Sequence, residues 1–221
     1  MKRKTSIAMI LLLTLSLVIP AAAANFSDVS PNDWHYEAVH FAVSSGLFSG
    51  TTDTTFSPNA PTTRGMFVTV LGRLADVPDY FGRTQTTPFN DVTQADFFFP
   101  YTVWANENGF VTGVGGNSFA PNLEITREQI AAILFRFANY NGYNVLYSDE
   151  NFATFSDAQS VSEHAIIPLK WATTHGIISG DGGNLRPQNT ATRAQVAQMF
   201  FNFTNMQMQE IVEENDPSMP N

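Results

Sequence analysis

Apolar positions recur along this chain with helical spacing in three pairs of stretches. The first stretch of each pair sets Trp34, Ala38, Phe41 and Ala42 three and four residues apart. Phe97, Tyr101, Trp104 and Ala105 repeat that spacing, as do Ile167, Lys170, Trp171 and Ala172, with Ile167 and Trp171 facing inward. The second stretches run Phe67, Val70, Leu71, Leu74; then Ile130, Ile133, Leu134, Phe137; then Val196, Met199, Phe200, Phe203. Six helices are predicted. Gly46, Gly109 and Gly176 stop the first of each pair, because glycine takes the left-handed conformation that follows a helix end without steric penalty. Thr63, Thr126 and Thr192 open the second. Thr126-Arg127-Glu128-Gln129 and Thr192-Arg193-Ala194-Gln195 fit a capping box, whereas Thr63-Arg64-Gly65-Met66 keeps the cap without the reciprocal side chain.

The pairs are copies of one unit. Phe26-Ser27-Asp28-Val29 returns as Phe89-Asn90-Asp91-Val92 and Phe155-Ser156-Asp157-Ala158. Gly46 and Gly50 return as Gly109 and Gly113, then as Gly176 and Gly180; Phe56-x-Pro58 returns as Phe119-x-Pro121 and Leu185-x-Pro187. Motifs of the first and second copies stand 63 residues apart throughout; from the second to the third the spacing is 66, and 67 at the glycines. Each copy is a helix-loop-helix of about 50 residues, too small to bury enough apolar surface alone, so the three are expected to pack together.

This register divides the chain into repeats at 25–74, 89–138 and 155–204, with linkers at 75–88 and 139–154 and an acidic C-terminal tail at 205–221. Before the first repeat, Lys2, Arg3 and Lys4 precede an apolar run from Ile7 to Ile19 and an Ala22-Ala23-Ala24 exit. That is the order of a secretory signal peptide over 1–24, and a run of about 13 apolar residues is shorter than the roughly 20 that span a bilayer. An exported mature chain without a transmembrane segment is expected.

Composition narrows the chemistry. The 11 Lys+Arg face 20 Asp+Glu, a net charge of -9, and cysteine is absent. Removing Lys2, Arg3 and Lys4 with the signal leaves 8 basic residues against 20 acidic, or -12. Nucleic acid is excluded as a partner, because phosphate backbones require a clustered basic surface. Disulfides, thiolate metal sites and cysteine nucleophiles are excluded together.

The ordered set F-x-D-V, aromatic helix, G-x-x-x-G, F-x-P and T-R-x-Q, present three times over 26–203, resembles the S-layer homology (SLH) domain. The resemblance implies a mainly α fold in which three SLH repeats form a pseudo-threefold spindle around a central helical bundle. It also implies non-covalent anchoring to the cell wall, in the S-layer at the cell surface, by secondary cell-wall polysaccharide held between neighbouring repeats through a pyruvate-ketal sugar. This sequence departs from the family pattern at Gly65 and Met66 in place of Ala-Glu/Gln, at Phe97 and His164 in the Trp34 position, and at Ala158 in place of Val.

The residues suggest how such a ligand would be held. Arg64, Arg127 and Arg193 each sit at the first position of a helix, where the dipole disfavours a cation unless an anion is near. Helix amides beside a guanidinium fork suit a carboxylate; the alternative is an ion pair with an F-x-D aspartate. Arg127 stands first, because its copy keeps the whole Thr-Arg-Glu-Gln motif, then Arg193 and Arg64. Cation removal there is expected to leave folding nearly unchanged. Asp28, Asp91 and Asp157 suit capping or sugar-hydroxyl contact better than catalysis. Gly50, Gly113 and Gly180 serve backbone geometry and would let a sugar approach closely. Trp34 is a core residue by its spacing, with groove lining as the alternative.

Enzyme signatures are missing. His35, His40, His164 and His175 lack metal-ligand spacing, Gly113-Val114-Gly115-Gly116 lacks the lysine of a phosphate loop, and there is no G-x-S-x-G. Asp181-Gly182-Gly183-Asn184 lacks a calcium-loop ladder. No cofactor and no catalytic activity are expected. A polysaccharide-binding module is the leading reading. Assembly with other envelope proteins is the second, and a glycan-acting enzyme the third.

Overall fold

A computed structural model of the chain describes residues 26–82 and 85–214, with side chains as far as Gln207. The expected signal peptide and residues 215–221 lie outside the described residues. Among the described residues seven α-helices follow in order: α1 (Tyr36–Ser44), α2 (Arg64–Leu74), α3 (Phe99–Glu107), α4 (Arg127–Asn141), α5 (Glu150–Ala153), α6 (Ile166–Thr174) and α7 (Arg193–Glu214). Among the described residues the only extended pairing consists of isolated bridges, and no helix is long and apolar enough to cross a membrane.

Local chemistry sets the helix ends as expected. The Thr63 side chain accepts from Met66 N, and the Thr126 box is complete, with Gln129 N donating to Thr126 Oγ1 and Thr126 N donating to Gln129 Oε1, both at 3.3 Å. Thr192 and Gln195 make the same reciprocal pair. Gly46, Gly109 and Gly176 follow α1, α3 and α6 with φ of 69°, 75° and 66°. Helix α4 runs to Asn141, inside the expected linker, which also holds α5, and α7 continues past Thr204.

The inward faces of the first helices differ from expectation. Trp34 and Phe97 precede α1 and α3 and are 65% and 62% exposed, and Ile167 is 45% exposed. Hydrogen-bonded turns explain the shift: Ser30 N donates to Asp33 Oδ2 and Thr93 N to Asp96 Oδ2, both at 2.7 Å, so the chain is still turning at Trp34 and Phe97. The buried faces are Ala38, Val39 and Ala42 in α1, Tyr101, Val103 and Ala105 in α3, and Leu169, Trp171 and Ala172 in α6.

The three repeats close in a ring. Helix α3 packs on α2, α6 on α4, and α1 on α7, so each first helix rests on the second helix of the preceding repeat, and the third repeat returns to the first. At the axis, Thr62 N donates to Ala191 O (2.9 Å), Ala191 N to Ile125 O (3.0 Å) and Ile125 N to Thr62 O (2.9 Å). These are equivalent positions, so the pseudo-threefold axis passes through a cyclic set of backbone bonds. Below it the second helices fill the centre with Phe67, Ile130 and Val196, then Leu71, Leu134 and Phe200, all without solvent exposure. Phe67 meets Phe200 with ring centroids 5.5 Å apart, and Phe137 meets Phe203 at 6.0 Å. The mainly α, three-repeat spindle is thus the architecture.

Candidate functional site at the repeat junctions

Each F-x-D aspartate clamps the F-x-P loop of its own repeat. Asp28 accepts from Phe56 N and Ser57 N, both at 2.8 Å. Asp91 accepts from Phe119 N and Ala120 N at 2.8 Å and from Ser118 Oγ at 2.6 Å; Asp157 accepts from Leu185 N and Arg186 N at 2.7 Å. Burial pushes the Asp28 and Asp91 pKa up, but the loop donors outweigh it, the amides at Asp28 and the Ser118 hydroxyl with the amides at Asp91, and hold both below the ordinary carboxylate value. The glycines belong to the same clamp. A Cβ on Gly50 would lie 2.6 Å from Phe26 Cε1, one on Gly113 would lie 3.0 Å from Phe89 Cε1, and one on Gly180 would collide with Phe155 Cε1. Nearer still are loop carbonyls at two of the positions, Thr52 O at Gly50 and Ser118 O at Gly113, so close packing within the clamp accounts for the glycines without a sugar.

The arginines reach across the junctions. Arg64 Nε donates to Phe119 O (2.9 Å) and Nη2 to Thr112 O (3.1 Å) in the second repeat. Arg127 binds Leu185 O (2.7 Å) and Ser179 O (2.9 Å) in the third, and Arg193 binds Phe56 O (2.8 Å) and Ser49 O (2.7 Å) in the first. All three are buried, at 5%, 7% and 8% exposure. Arg64 also lies over the Phe119 ring and Arg193 over Phe56, with Cζ 4.7 and 4.5 Å from the centroids. Burial lowers each guanidinium pKa. Asp91 opposes this at Arg64 and Asp28 at Arg193; at Arg127, Asp181 and Asp157 oppose it while Arg186 adds to it.

Two expectations about these arginines are corrected. Among the described residues no ion pair joins them to an F-x-D aspartate within 4.0 Å, and carbonyl oxygens are their direct partners. Nor are the helix amides available to a ligand. Arg64 N and Gly65 N donate to Leu123 O and Pro121 O, Arg127 N and Glu128 N to Asn189 O and Pro187 O, and Arg193 N and Ala194 N to Ala60 O and Pro58 O. The third amide goes to the capping threonine. A carboxylate can therefore be met at a junction by guanidinium N–H groups, not by a helix N-terminus. Among the described residues, Nη1 of each arginine has no acceptor, so one edge of each fork remains for a ligand.

A cleft of about 220 Å³ opens beside Arg64. Its walls come from all three repeats: Arg64 from the first, the 111–114 loop with Gln129, Ile133 and Arg136 from the second, and His164 from the third. The motif had put Arg127 ahead, but its neighbour Glu128 is already engaged by the third repeat, accepting from Ser162 N (3.2 Å), Ser162 Oγ (2.8 Å) and Gln188 Nε2 (3.3 Å). The repeat register places exposed Trp34 at the Arg127 junction and Phe97 at the Arg193 junction, as His164 stands at the Arg64 junction. Arg136 and His164 had no place among the sequence candidates. Register carried their signal, since Arg136 takes the position of Arg73, and His164 that of Trp34.

Comparison with known proteins agrees with this geometry. The S-layer homology domain matches at residues 25–65, 88–131 and 154–197, one match per repeat. The chain is 33% identical over 181 residues to an amylopullulanase of Thermoanaerobacterium thermosulfurigenes, covering 80% of this chain and 9% of that protein. It is 31% identical to an endoglucanase of Bacillus sp. (strain KSM-635), covering 90% of this chain and 22% of the enzyme. With the surface-layer 125 kDa protein of Lysinibacillus sphaericus it shares 27% identity, over 85% of this chain and 16% of that one. The chain thus spans under a quarter of the length of these relatives. Three matches in register, on three repeats that close through equivalent arginines, place the chain in the S-layer homology domain family.

Proposed function

We propose that this protein is an exported wall-binding module that anchors non-covalently at the cell surface by holding acidic secondary cell-wall polysaccharide at its repeat junctions. The observation that carries the reading is the cleft beside Arg64, where three repeats converge on a buried guanidinium with an unpaired Nη1 edge. Two carbonyls already fix that guanidinium, so little side-chain entropy remains to be lost when a carboxylate binds. A ketal pyruvate on a sugar supplies such a carboxylate, and the exposed Trp34 and Phe97 rings supply faces on which a sugar can stack. Relatives named as S-layer or surface-layer proteins support a wall-surface role. The relatives named as enzymes match over 80% and 90% of this chain but only 9% and 22% of their own length, which supports a shared module appended to those enzymes.

Co-sedimentation with purified cell-wall sacculi tests the reading. The protein should pellet with intact sacculi and remain in solution after the secondary polymer has been stripped. Unchanged pelleting after stripping would overturn the glycan assignment in favour of protein partners, and release of sugar fragments would point to catalysis.

A further inference from the structure

The three junctions share one scaffold but differ in charge. At the Arg64 cleft, a second guanidinium, Arg136, is tethered by one bond from Nη1 to Phe110 O (3.1 Å), and His164 stands exposed opposite. At the Arg127 junction the equivalents of Arg136 and His164 are Asn202 and Trp34, and Val114 is replaced by Asp181, a carboxylate paired to Arg186 at 3.1 Å. At the Arg193 junction they are Arg73 and Phe97. Where two junctions offer an exposed aromatic ring, the Arg64 cleft offers a third nitrogen base. Asp91, the carboxylate whose charge acts on Arg64, is occupied by three donors of its own loop.

We propose that the clefts are specialised, and that the Arg64 cleft, through Arg136 and His164, selects a sugar substituent carrying two negative charges. Single carboxylates on stacked sugars fall to the Arg127 junction, where Asn202 replaces the second guanidinium and Trp34 the imidazole. This rests on the glycan-binding reading and adds a charge class to one cleft. A monoanion satisfies one guanidinium edge and leaves Arg136 partly desolvated without a partner. A dianion such as a phosphomonoester presents enough oxygens for both forks, and only that ligand repays the desolvation of the second cation.

The probes are glucose 6-phosphate and glucuronic acid, a sugar dianion and a sugar monoanion, titrated into the intact protein and followed by amide chemical shifts. Residues 111–114 should respond to the phosphate at lower concentration than to glucuronate, and the loop at the Arg127 junction, where Asn202 replaces the second guanidinium, should show no such preference. In Arg136→Asn/His164→Trp, which copies the Arg127 junction, the preference at 111–114 should fall about tenfold. Both replacements occur naturally at equivalent positions of this chain, and an unchanged melting temperature confirms that the fold is retained. Equal response of 111–114 to both probes, or a preference that survives the double variant, overturns the proposal. Sedimentation with sacculi reports separately on the general reading, so loss of the charge preference with retained wall binding refutes specialisation alone.

Discussion

Arg193 and Asp28, from the last and first repeats, grip the same residue: Arg193 Nε donates to Phe56 O at 2.8 Å, and Asp28 Oδ1 accepts from Phe56 N at 2.8 Å. Arg64 and Asp91 hold Phe119 in this way, and Arg127 and Asp157 hold Leu185. Opposite charges are thus separated by one residue of backbone instead of meeting. Each dipolar strip is held at both ends, which fixes the loop and closes the ring with one device used three times.

Removing any one of these arginines should therefore destabilise the protein. Arg193→Ala deletes two charge-assisted bonds to buried carbonyls, each worth about 1.5–3 kcal/mol, and leaves the oxygens unsatisfied. A loss of roughly 3 kcal/mol lowers Tm by about 6–12 °C in a chain of this size. Calorimetry on Arg64→Ala, Arg127→Ala and Arg193→Ala should give similar falls, with only partial recovery in the lysine variants, since an ammonium cannot span both carbonyls. An unchanged Tm would mean that these bonds contribute nothing to closure. Ligand binding by such variants has to be expressed per folded molecule.

The helices were legible in the sequence because their signals are local. A threonine cap, a terminal glycine and an apolar stripe each act within one or two turns, and all three copies obey them. The junctions were not legible in the same way. Which loop Arg193 reaches depends on ring closure between residues far apart in the chain, and no periodicity encodes that. Trp34 was assigned to a buried face because the stripe was extended through a turn held by Asp33, where the helical period no longer applies. Arg127 ranked first on its Thr-Arg-Glu-Gln motif, yet Glu128 of that motif is consumed by Ser162 and Gln188.

Acid should loosen the clamps. Asp28 and Asp91 have pKa values below the ordinary 3.8 in the folded chain, because the burial that opposes the charged form is outweighed by loop amides and, at Asp91, first by the Ser118 hydroxyl. Their folded values being depressed, the stabilisation is complete above the unfolded pKa and is lost as pH falls through the folded one. Tm should be level through neutral pH with respect to these groups and should drop below about pH 4. Asp28→Asn should flatten part of that acid limb while lowering Tm at pH 7. An acid limb unchanged in Asp28→Asn and in Asp91→Asn would assign it to other carboxylates.

Gly180→Ala tests whether that glycine serves the clamp. The added methyl collides with Phe155 Cε1 and lies 2.8 Å from Asn184 O, so overpacking should cost about 1–3 kcal/mol. Adding Phe155→Leu to the same chain should recover part of the loss by opening the space. If the glycine instead served sugar approach, Tm would hold and only binding would fall; thermal melts and sacculus sedimentation on both variants distinguish these outcomes.

Closure of the ring predicts that two repeats do not make a stable protein. A fragment covering residues 26–141 retains α1 to α4 but loses Ala191 and Arg193, so Thr62 N has no acceptor at the axis and Phe56 O loses its guanidinium. It also uncovers Phe67, whose ring packs on Phe200, and the face of α1 that rests on α7. Backbone groups and apolar surface are thereby exposed together at the centre, where no remaining side chain can fold over them. The fragment should melt without cooperativity, bind a hydrophobic dye and self-associate, and adding the separate third repeat in trans should restore a cooperative transition. A monomeric fragment with a sharp melt would show that adjacent repeats fold as an open stack, and that the cyclic bonds at the axis are a consequence of the fold and not a condition for it.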